Sequence, residues 1–437
     1  MNLLLKTKMP SANSAGEKTT AMQEHNLDGS HPSNLVWENL EAFARAEIQR
    51  FVQRLLEEEV TALVGRERSE RRSEERAEAT PPVYRNGYGK ERHLTTSSGT
   101  ITVRRPRVRG LEGRFESRIL PLFRRRTRQV DRLLPELYLH GLAAGDFDRA
   151  LRGLLGEEAP VSAASVARLK AGWQAEYDAW KQRSLADLEV VYVWVDGIYV
   201  KAGLEKEKAA LLVVLGALRD GTKVVLAVEA GQRESTESWS GVLRSLKQRG
   251  LNCPRLVIGD GHLGIWGALA NVFPAAQEQR CWNHRLVNVL DRVPQKQQPE
   301  AKELLRGIMY ADTEAGARGR KEAFQAWCRK KGCPAAGDLL EDDWERLVTY
   351  YRFPLEHWKH LRTTNPVESP FAAVRLRTSA AKRYKKVENA TAVLWKTLLL
   401  AEEHFRKLNA PELLAEVAAG VTYHDGSRRK TRELVTA

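Results

Sequence analysis

Two aspartates that follow apolar runs are the residues of this chain best suited to chemistry. Asp196 ends the run VYVWV, and Asp260 follows the run that ends at Gly259. In open sheets, ligand chemistry gathers at the carboxyl ends of parallel strands, and neighbouring strands lie about 4.8 Å apart. Two such carboxylates can hold a pair of Mg²⁺ ions, which lie roughly 3.5–4 Å apart in two-metal sites. The pattern predicts phosphoryl transfer at this edge of a sheet.

The segments around these aspartates predict one α/β region. Residues 191–284 alternate strand-like and helix-like segments in the order β-β-β-α-β-α-β. Asp-Gly pairs also form turns that have no catalytic role. Asp220-Gly221, between two strand-like segments, is predicted to be such a hairpin turn. Asp196 and Asp260 differ because each ends a strand with the composition of a buried one.

A metal pair needs a third carboxylate, and Glu368 is the best candidate. Asn365 and Pro366 predict a helix start, with Asn365 as N-cap and Pro366 at the first helical position. Glu368 then lies in the first turn. The same spacing is also a capping box, which needs no catalysis. The preceding helical segment offers three rivals: Glu341, Glu345 and Glu356.

Cys281 and His284 form a Cys-x-x-His pair, which is half of a zinc site. Cys328 and Cys333 could complete it, but their separation and helical setting argue against that. The pair is either structural or close to the reacting phosphate.

The charge of the chain predicts a polyanionic partner. Its 437 residues carry a net charge of +14, which favours nucleic acid, although solubility alone is an alternative. Residues 81–110 carry turn signals at Asn86-Gly87 and Ser98-Gly99, and between Arg104 and Arg128 there are ten arginines against two acids, on a segment punctuated by Pro and Gly. Arginine at this density suits DNA phosphates, and the alternative is an unstructured basic connector. The candidate contacts are Arg104, Arg105, Arg107, Arg109, Arg124, Arg125, Arg126 and Arg128.

Two further regions predict DNA contact. Residues 129–184 are wholly helical in pattern and compatible with a helix-turn-helix, with Ser162 as the N-cap of the third helix. Its candidate contacts are Ser165, Arg168 and Lys170. A basic run also follows Glu368, and the alternative there is a solvated face. Its members are Arg375, Arg377, Lys382, Arg383, Lys385 and Lys386.

Five segments carry a resemblance to a known family. They are RNGYGKERHLTTSSGTITVRRPRVRG (85–110), VWVDGIYVK (193–201), VIGDGHLGIWGAL (257–269), QRCWNHRLVN (279–288) and TTNPVES (363–369). In this order they resemble the Mutator-type (MULE-like) DDE transposases of bacterial insertion sequences, from about residue 37 to residue 408. The resemblance implies an α/β RNase H-like catalytic core, an Asp-Asp-Glu triad, and an all-α insertion before the helix that carries the glutamate.

Matched residue by residue, the family's metal-binding catalytic triad falls on Asp196, Asp260 and Glu368, with Mg²⁺ as cofactor and Mn²⁺ as a possible substitute. Its Cys-x-x-His falls on Cys281 and His284, for which the similarity favours a supporting role near the active site. The chain departs from the family at Pro370-Phe371, where polar residues are usual. Pro370 puts the pose of Glu368 in doubt, because it can distort the first turns of that helix.

The resemblance and the residue patterns together predict the organisation of the chain. A helical and small β-rich DNA-binding N-terminal region precedes the core, and the C-terminus is helical. The boundaries are 1–34, disordered lead-in; 35–80, N-terminal helix and charged linker, a candidate for oligomerisation; 81–128, small β-rich basic module; 129–184, helix-turn-helix-like domain; 185–284, first part of the core; 285–362, helical insertion; 363–410, Glu-bearing and C-terminal helices of the core; and 411–437, basic tail.

The implied function is that of a transposase that binds terminal inverted repeats, cleaves the DNA ends and joins the 3′-OH to target DNA. Its partners would be double-stranded DNA and further copies of itself, in a homodimer or higher synaptic assembly. Four cysteines and no apolar run long enough for a membrane helix favour the bacterial cytoplasm, in association with the nucleoid. The alternatives are a catalytically silent DNA-binding regulator derived from a transposase, or an RNase H-like nuclease.

Overall fold

The computed structural model describes residues 39–70, 83–143, 145–159, 163–203, 208–231, 234–261 and 263–429. The chain divides into two compact units, Met1–Arg92 with Ile101–Leu122, and His93–Thr100 with Phe123–Ala437. The predicted lead-in, most of the charged run 66–78 and the proposed cap Ser162 lie outside the described residues.

The first unit contains the predicted N-terminal helix, α1 (Leu40–Val64). It ends at Gly65, which takes a φ of +70° and donates its N–H to the Thr61 carbonyl at 2.8 Å. Strands β1 (Tyr84–Thr96) and β2 (Gly99–Arg109) form a two-stranded sheet. Asn86-Gly87, predicted as a turn, lies inside β1, where Gly87 takes a φ of +64° within the strand.

Three helices open the second unit, as predicted from the pattern of residues 129–184. They are α2 (Arg128–Leu139), α3 (Phe147–Leu155) and α4 (Ala163–Lys181). Aromatic side chains join them: the Tyr138 ring centroid lies 6.2 Å from that of Phe147 and 5.6 Å from that of Trp173.

A five-stranded mixed sheet forms the centre of the second unit. Its strands are β3 (Val190–Val200), β4 (Ala209–Leu218), β5 (Lys223–Gly231), β6 (Leu256–Gly259) and β7 (Gln277–Arg280), in the order β5-β4-β3-β6-β7. Strand β4 is antiparallel to both of its neighbours, β3 and β5, whereas β6 and β7 run parallel to β3. Helix α5 (Thr236–Gln248) joins β5 to β6, and α6 (Leu263–Val272) joins β6 to β7. The predicted order of segments is confirmed, as is the turn at Asp220-Gly221.

Alternate residues of β3 enter two different cores, because side chains along a strand point to opposite faces. Val193 and Val195 pack with α5 and α6, for example against Trp239. Tyr192 and Trp194 pack with the helices that follow β7. Asp196 has the same parity as Trp194, so its side chain points to the second of these faces.

The stretch that follows β7, predicted as an insertion over 285–362, is helical. It contains α7 (Trp282–Leu290), α8 (Gln298–Met309), α9 (Glu314–Lys330), α10 (Pro334–Asp342), α11 (Trp344–Leu347) and α12 (Trp358–Leu361), with short 3₁₀ turns at Gln295–Gln297, Thr349–Arg352 and Leu355–His357. Its two ends meet, since the Trp282 N–H donates to the Arg362 carbonyl at 2.9 Å.

The last described segments are α13 (Asn365–Glu368), α14 (Phe371–Ala381), α15 (Val387–Glu402), α16 (Glu412–Ala418) and a hairpin of β8 (Tyr423–His424) and β9 (Ser427–Arg428). Residues 411–429, predicted as part of a basic tail, are folded. Leu414 and Val417 are buried in the core. Their spacing of three residues puts both on one face of a helix, and this pattern determines the structure although the residues that follow are basic. None of the described helices is long and apolar enough to cross a membrane.

Candidate active site

Asp196 and Asp260 occupy equivalent positions on neighbouring parallel strands. The parallel pairing of β3 with β6 runs from Tyr192 opposite Leu256 to Trp194 opposite Ile258. Each aspartate lies two residues beyond that last pair, so both carboxylates are on the same face at the same edge. The prediction that β3 ends at Asp196 is wrong: the strand continues to Val200 because β4 still pairs with it, with Val213 opposite Asp196. Asp260 does follow the end of its strand, as predicted.

His284 joins Asp260 to Glu368, although the two acids are far apart in the chain. Its Nδ1 lies 3.3 Å from Asp260 Oδ1 and 3.8 Å from Glu368 Oε1. The ring is placed there because α7 starts at Trp282, directly after β7, so that His284 lies in the first turn of a helix that begins at the site. The predicted third acid therefore lies beside the strand ends, on a segment that returns from the insertion.

Thr364, which the sequence reasoning did not single out, holds Glu368 in place. Its side chain is fully buried, and its hydroxyl donates to Glu368 Oε1. Its backbone N–H donates to Cys281 Sγ at 3.3 Å, and its hydroxyl oxygen lies 3.2 Å from the same sulfur. The buried Cys281 thiol thus anchors the start of the segment that carries the glutamate.

Helix α13 differs from the predicted one in its cap. The helix begins at Asn365 and Thr364 precedes it, so Asn365 is not the N-cap. The Asn365 side-chain oxygen instead accepts from Asn283 Nδ2 at 3.0 Å, which ties α13 to α7. Glu368 is the last residue of this single turn. Pro370, which has no N–H, separates it from α14, as the doubt about this proline anticipated.

The pKa of Asp196 reflects a buried carboxyl among other acids. Burial raises its pKa from the ordinary value to about 7, and the negative charges of Glu368 and Glu234 add to that increase. The Gly197 N–H, which donates to Asp196 Oδ1 at 2.8 Å, and the charge of His284 act in the opposite direction. The site therefore concentrates negative charge where solvent screens it poorly.

The pKa of His284 is also raised, which for an imidazole favours the charged form. A hydrogen bond with Cys281 raises its pKa to about 9, and the charges of Cys281, Asp260 and Glu368 add to this, whereas burial opposes it. The ring is a cation at neutral pH in this arrangement and offsets part of the charge of the surrounding carboxylates.

Glu234 is a fourth acid of the site that the sequence reasoning missed. A Cβ at Gly197 would overlap the Glu234 carboxylate, and a Cβ at Gly264 would overlap its backbone. Both glycines therefore make room for this residue next to Asp196. The available signal was its position directly before Ser235, the N-cap of α5, whose hydroxyl accepts from the Ser238 N–H at 3.2 Å.

Two donor sets at the site could hold metal ions, and they share Glu368. The carboxylates of Asp196, Asp260 and Glu368 offer hard oxygen atoms of the kind that Mg²⁺ prefers. In the part of the chain that the structure describes, the donor atoms of Cys281, His284 and Glu368 lie within 4.8 Å of one another. Cys281, however, is fully buried and already accepts the N–H of Thr364. Cys328 and Cys333 are not members of this group.

Three of the predicted DNA contacts point into the protein. Arg377 is 1 % exposed, and its Nη1 donates to the Tyr138 and Leu142 carbonyls, in the latter case at 2.8 Å. It lies one helical turn from the buried Val374, which explains its orientation. Ser165 is buried, and its hydroxyl accepts from Arg126, whose Nε also donates to an Asp131 oxygen at 2.8 Å. These side chains hold helices together in the structure.

The other basic candidates lie nearer the surface. Arg105 and Lys170 are half-buried, and burial lowers the pKa of Lys170. The exposed ones are Arg104, Arg107, Arg109, Arg124, Arg125, Arg128, Arg168, Arg375, Lys382, Arg383, Lys385 and Lys386.

Comparison with known proteins defines the class. Residues 22–407 match the family model described as transposase, Mutator family. The chain therefore belongs to the Mutator family of transposases, and the resemblance read from its motifs is confirmed.

Its relatives are transposases of bacterial insertion sequences. The chain is 44 % identical over 297 residues to the transposase for insertion sequence element IS6120 of Mycolicibacterium smegmatis. That match covers 68 % of this chain and 92 % of the relative. It is 39 % identical over 279 residues to the transposase for element IST2 of Acidithiobacillus ferrooxidans, covering 63 % of this chain and 94 % of the relative. It is 25 % identical over 318 residues to the transposase for insertion sequence element IS256 in transposon Tn4001 of Staphylococcus aureus. That match covers 72 % of this chain and 80 % of the relative.

Proposed function

We propose that this chain cuts the ends of an insertion sequence and joins them to target DNA at a site made by Asp196, Asp260 and Glu368. The observation that carries the proposal is the meeting of these acids: two share a register on parallel strands, and the third lies within 3.8 Å of the histidine that contacts one of them. The strand order supports an RNase H-like core: β3 lies at the centre of the sheet, β6 and β7 run parallel to it, and β4 runs antiparallel to it.

The three carboxylates are the residues that would hold Mg²⁺, with Mn²⁺ as a substitute. Their fit rests on chemistry: all three offer oxygen ligands, and the pKa of Asp196 is raised first by burial and then by the charges of Glu368 and Glu234, so that a divalent cation would stabilise its charged form. A bound metal pair would supply an activated water or 3′-hydroxyl and would stabilise charge on the reacting phosphate.

The remaining residues of the site position these acids. Thr364 orients the Glu368 carboxylate through its hydroxyl, and Cys281 fixes Thr364. His284 lies within reach of both Asp260 and Glu368 and, when protonated, would attract both carboxylates. Such indirect partners typically change activity by about 10–100-fold when they are removed.

Recognition of double-stranded DNA is assigned to the exposed basic residues of 81–128, 129–184 and the run after Glu368. Arginine and lysine at these positions would contact phosphates and so set the position of the DNA, whereas base contacts would select the terminal inverted repeat. Because two ends must be cut and joined together, we assign the active form to a homodimer or a higher synaptic assembly.

The test is a strand-transfer assay with Mg²⁺, a labelled duplex that ends in the element's own inverted repeat, and a second unlabelled duplex. We expect 3′-end joining by the unaltered protein, and its loss in Asp196→Asn, Asp260→Asn and Glu368→Gln. Asp220→Asn is the matched control, because Asp220 lies in an exposed turn and bonds only Thr222 and Lys407 in the described contacts. Cutting without joining would instead indicate a nuclease, and binding without cutting would indicate a silent regulator.

A further inference from the structure

Phe123 presents an aromatic ring to solvent from a strained backbone position. Its side chain is 90 % exposed, the largest value among the exposed large apolar residues that the structure describes. Its φ is +67°, a region that bulky L residues rarely adopt. A single exposed apolar residue needs no explanation by itself, but strained positions of this kind concentrate at ligand-binding sites.

The chain directly after Phe123 is fixed, so the exposed ring is not at the end of a loose loop. The Thr95 N–H donates to the Arg125 carbonyl at 2.9 Å, and the Thr127 N–H donates to the Thr95 carbonyl at 3.0 Å. Between these bonds, Arg126 points inward to Asp131 and Ser165, at 2.8 Å and 3.1 Å. The ring is therefore presented two residues before a short backbone ladder.

The neighbours of the ring are positively charged. Arg124 is 66 % exposed, at 3.9 Å from an Asp131 oxygen, and the side chains of Arg125 and Arg128 are also exposed. An apolar protein surface would have to cover these guanidinium groups in order to reach Phe123. A nucleic acid offers the complementary pair of groups, a phosphate for each cation and an aromatic base for the ring.

We propose that Phe123 stacks on a DNA base, or enters between two bases, while Arg124 and Arg125 contact the flanking phosphates. This inference rests on the proposed function in that the chain must bind DNA. Stacking is indifferent to base identity because every base has a π face, and an inserted aromatic or apolar side chain unstacks a step and bends the duplex. Because the backbone that follows Phe123 is already held by hydrogen bonds, less conformational entropy is lost when the ring contacts a base. Phe123 thus marks where the DNA is distorted.

The experiment probes unstacked thymines with permanganate on duplexes that carry the two ends of the insertion sequence, bound by the full chain without divalent metal. We expect thymines that become reactive with the unaltered protein, that lose this reactivity with Phe123→Ala, and that keep it with Phe123→Trp. The affinity of Phe123→Ala should fall by about tenfold with an unchanged salt dependence. Arg125→Ala should instead reduce the salt dependence by about one phosphate contact.

Leu154→Ala is the matched control, since Leu154 is a 64 % exposed apolar side chain of the same unit; it should change neither quantity. Unchanged thymine reactivity and affinity in Phe123→Ala would overturn the inference while leaving DNA cleavage and joining intact. A shift in oligomeric state by light scattering, with unchanged thymine reactivity, would assign the ring to a contact between copies and would also overturn it. Failure of the unaltered protein to bind the duplexes would overturn both this inference and the proposed function.

Discussion

Replacing Asp343 by alanine should destabilise the second unit more than any surface change nearby. Its carboxylate, 11 % exposed, contacts both Arg280 and Arg285, which are 11 % and 4 % exposed. It also lies 3.6 Å from Arg346, which is 37 % exposed and has Glu278 as a second partner. Burial already lowers the pKa of Arg285 to about 10, which shows how poorly water reaches that guanidinium.

The magnitude follows from the two buried partners. Removing one side of a buried ion pair costs about 3–5 kcal/mol, because the remaining charge stays desolvated. Arg346 can turn to water and adds little, so we expect a loss of about 4 kcal/mol in the free energy of unfolding. In a unit of this size, with an unfolding entropy of about 2.1 cal/mol/K per residue, that corresponds to a fall of about 6 °C in the melting temperature. The substitution also reaches the site, since Arg280 and Arg285 flank Cys281 and His284 in the chain.

Thermal and urea unfolding followed by circular dichroism would measure the effect. Glu345→Ala is the matched control from the same segment: its side chain is 70 % exposed, at 3.5 Å from Arg318 and 3.8 Å from Arg352. Exposed pairs of this kind contribute about 0–1 kcal/mol. A melting temperature for Asp343→Ala within the error of the control would refute the reasoning from buried charge.

Three further changes test the site and its support. Thr364→Val removes the hydroxyl that donates to Glu368 while keeping its shape, so strand joining should slow by about 10–100-fold at unchanged DNA affinity. Gly197→Ala puts a methyl group onto the Glu234 carboxylate and should reduce joining by about tenfold or more. Burial lowers the pKa of His360 to about 4, so its contribution to stability is present above about pH 6.5 and is lost as the pH falls toward 4. Between pH 7 and pH 5 the free energy of unfolding, measured by urea titration, should therefore fall by about 1 kcal/mol less in His360→Asn than in the unaltered protein; this figure is about half of the full linkage because the ring is partly exposed to solvent.

Each of these has its own contrary result. Thr364→Ser should restore joining, and if it stays as slow as Thr364→Val, the hydroxyl does not orient the glutamate. Gly241→Ala, at a helical glycine with open space around its Cα, should leave joining unchanged. Equal loss in both glycine variants would remove the role given to Glu234. If the free energy of unfolding falls equally between pH 7 and pH 5 in the unaltered protein and in His360→Asn, His360 is not the group that takes up the proton.

The sequence predicted the acids of the site better than their settings. Asp260 follows its strand as expected, because apolar composition and a following glycine are local signals. The continuation of β3 past Asp196 depends on pairing with β4, which no local pattern reports. For Glu368 the sequence left open a helix cap and a metal ligand. Its distance of 3.8 Å from His284, a residue far away in the chain, supports the second interpretation, and no local pattern reports that contact.

The sequence was least informative about which charged side chains face solvent and which face the core. Arg377 was grouped with its basic neighbours as a DNA contact, yet it is the cation of that run that continues the buried stripe of α14. Its long side chain reaches the carbonyl groups of Tyr138, in α2, and of Leu142, just after the end of α2, which compensates for burial. Composition predicts that such a segment is basic, and only the phase of the helix decides which cation faces inward.

The hydrogen bond from Trp282 to Arg362 closes the insertion at its base. The insertion leaves the strand ends after His284 and returns to them at Thr364, so its two ends lie beside the proposed site. Its middle is not detached from the core, because Asp343 pairs with Arg280 and Arg285. A change in length or a grafted module is therefore expected to leave the acids in place only at an exposed turn, such as the one at Gly332, where a Cβ would meet open space.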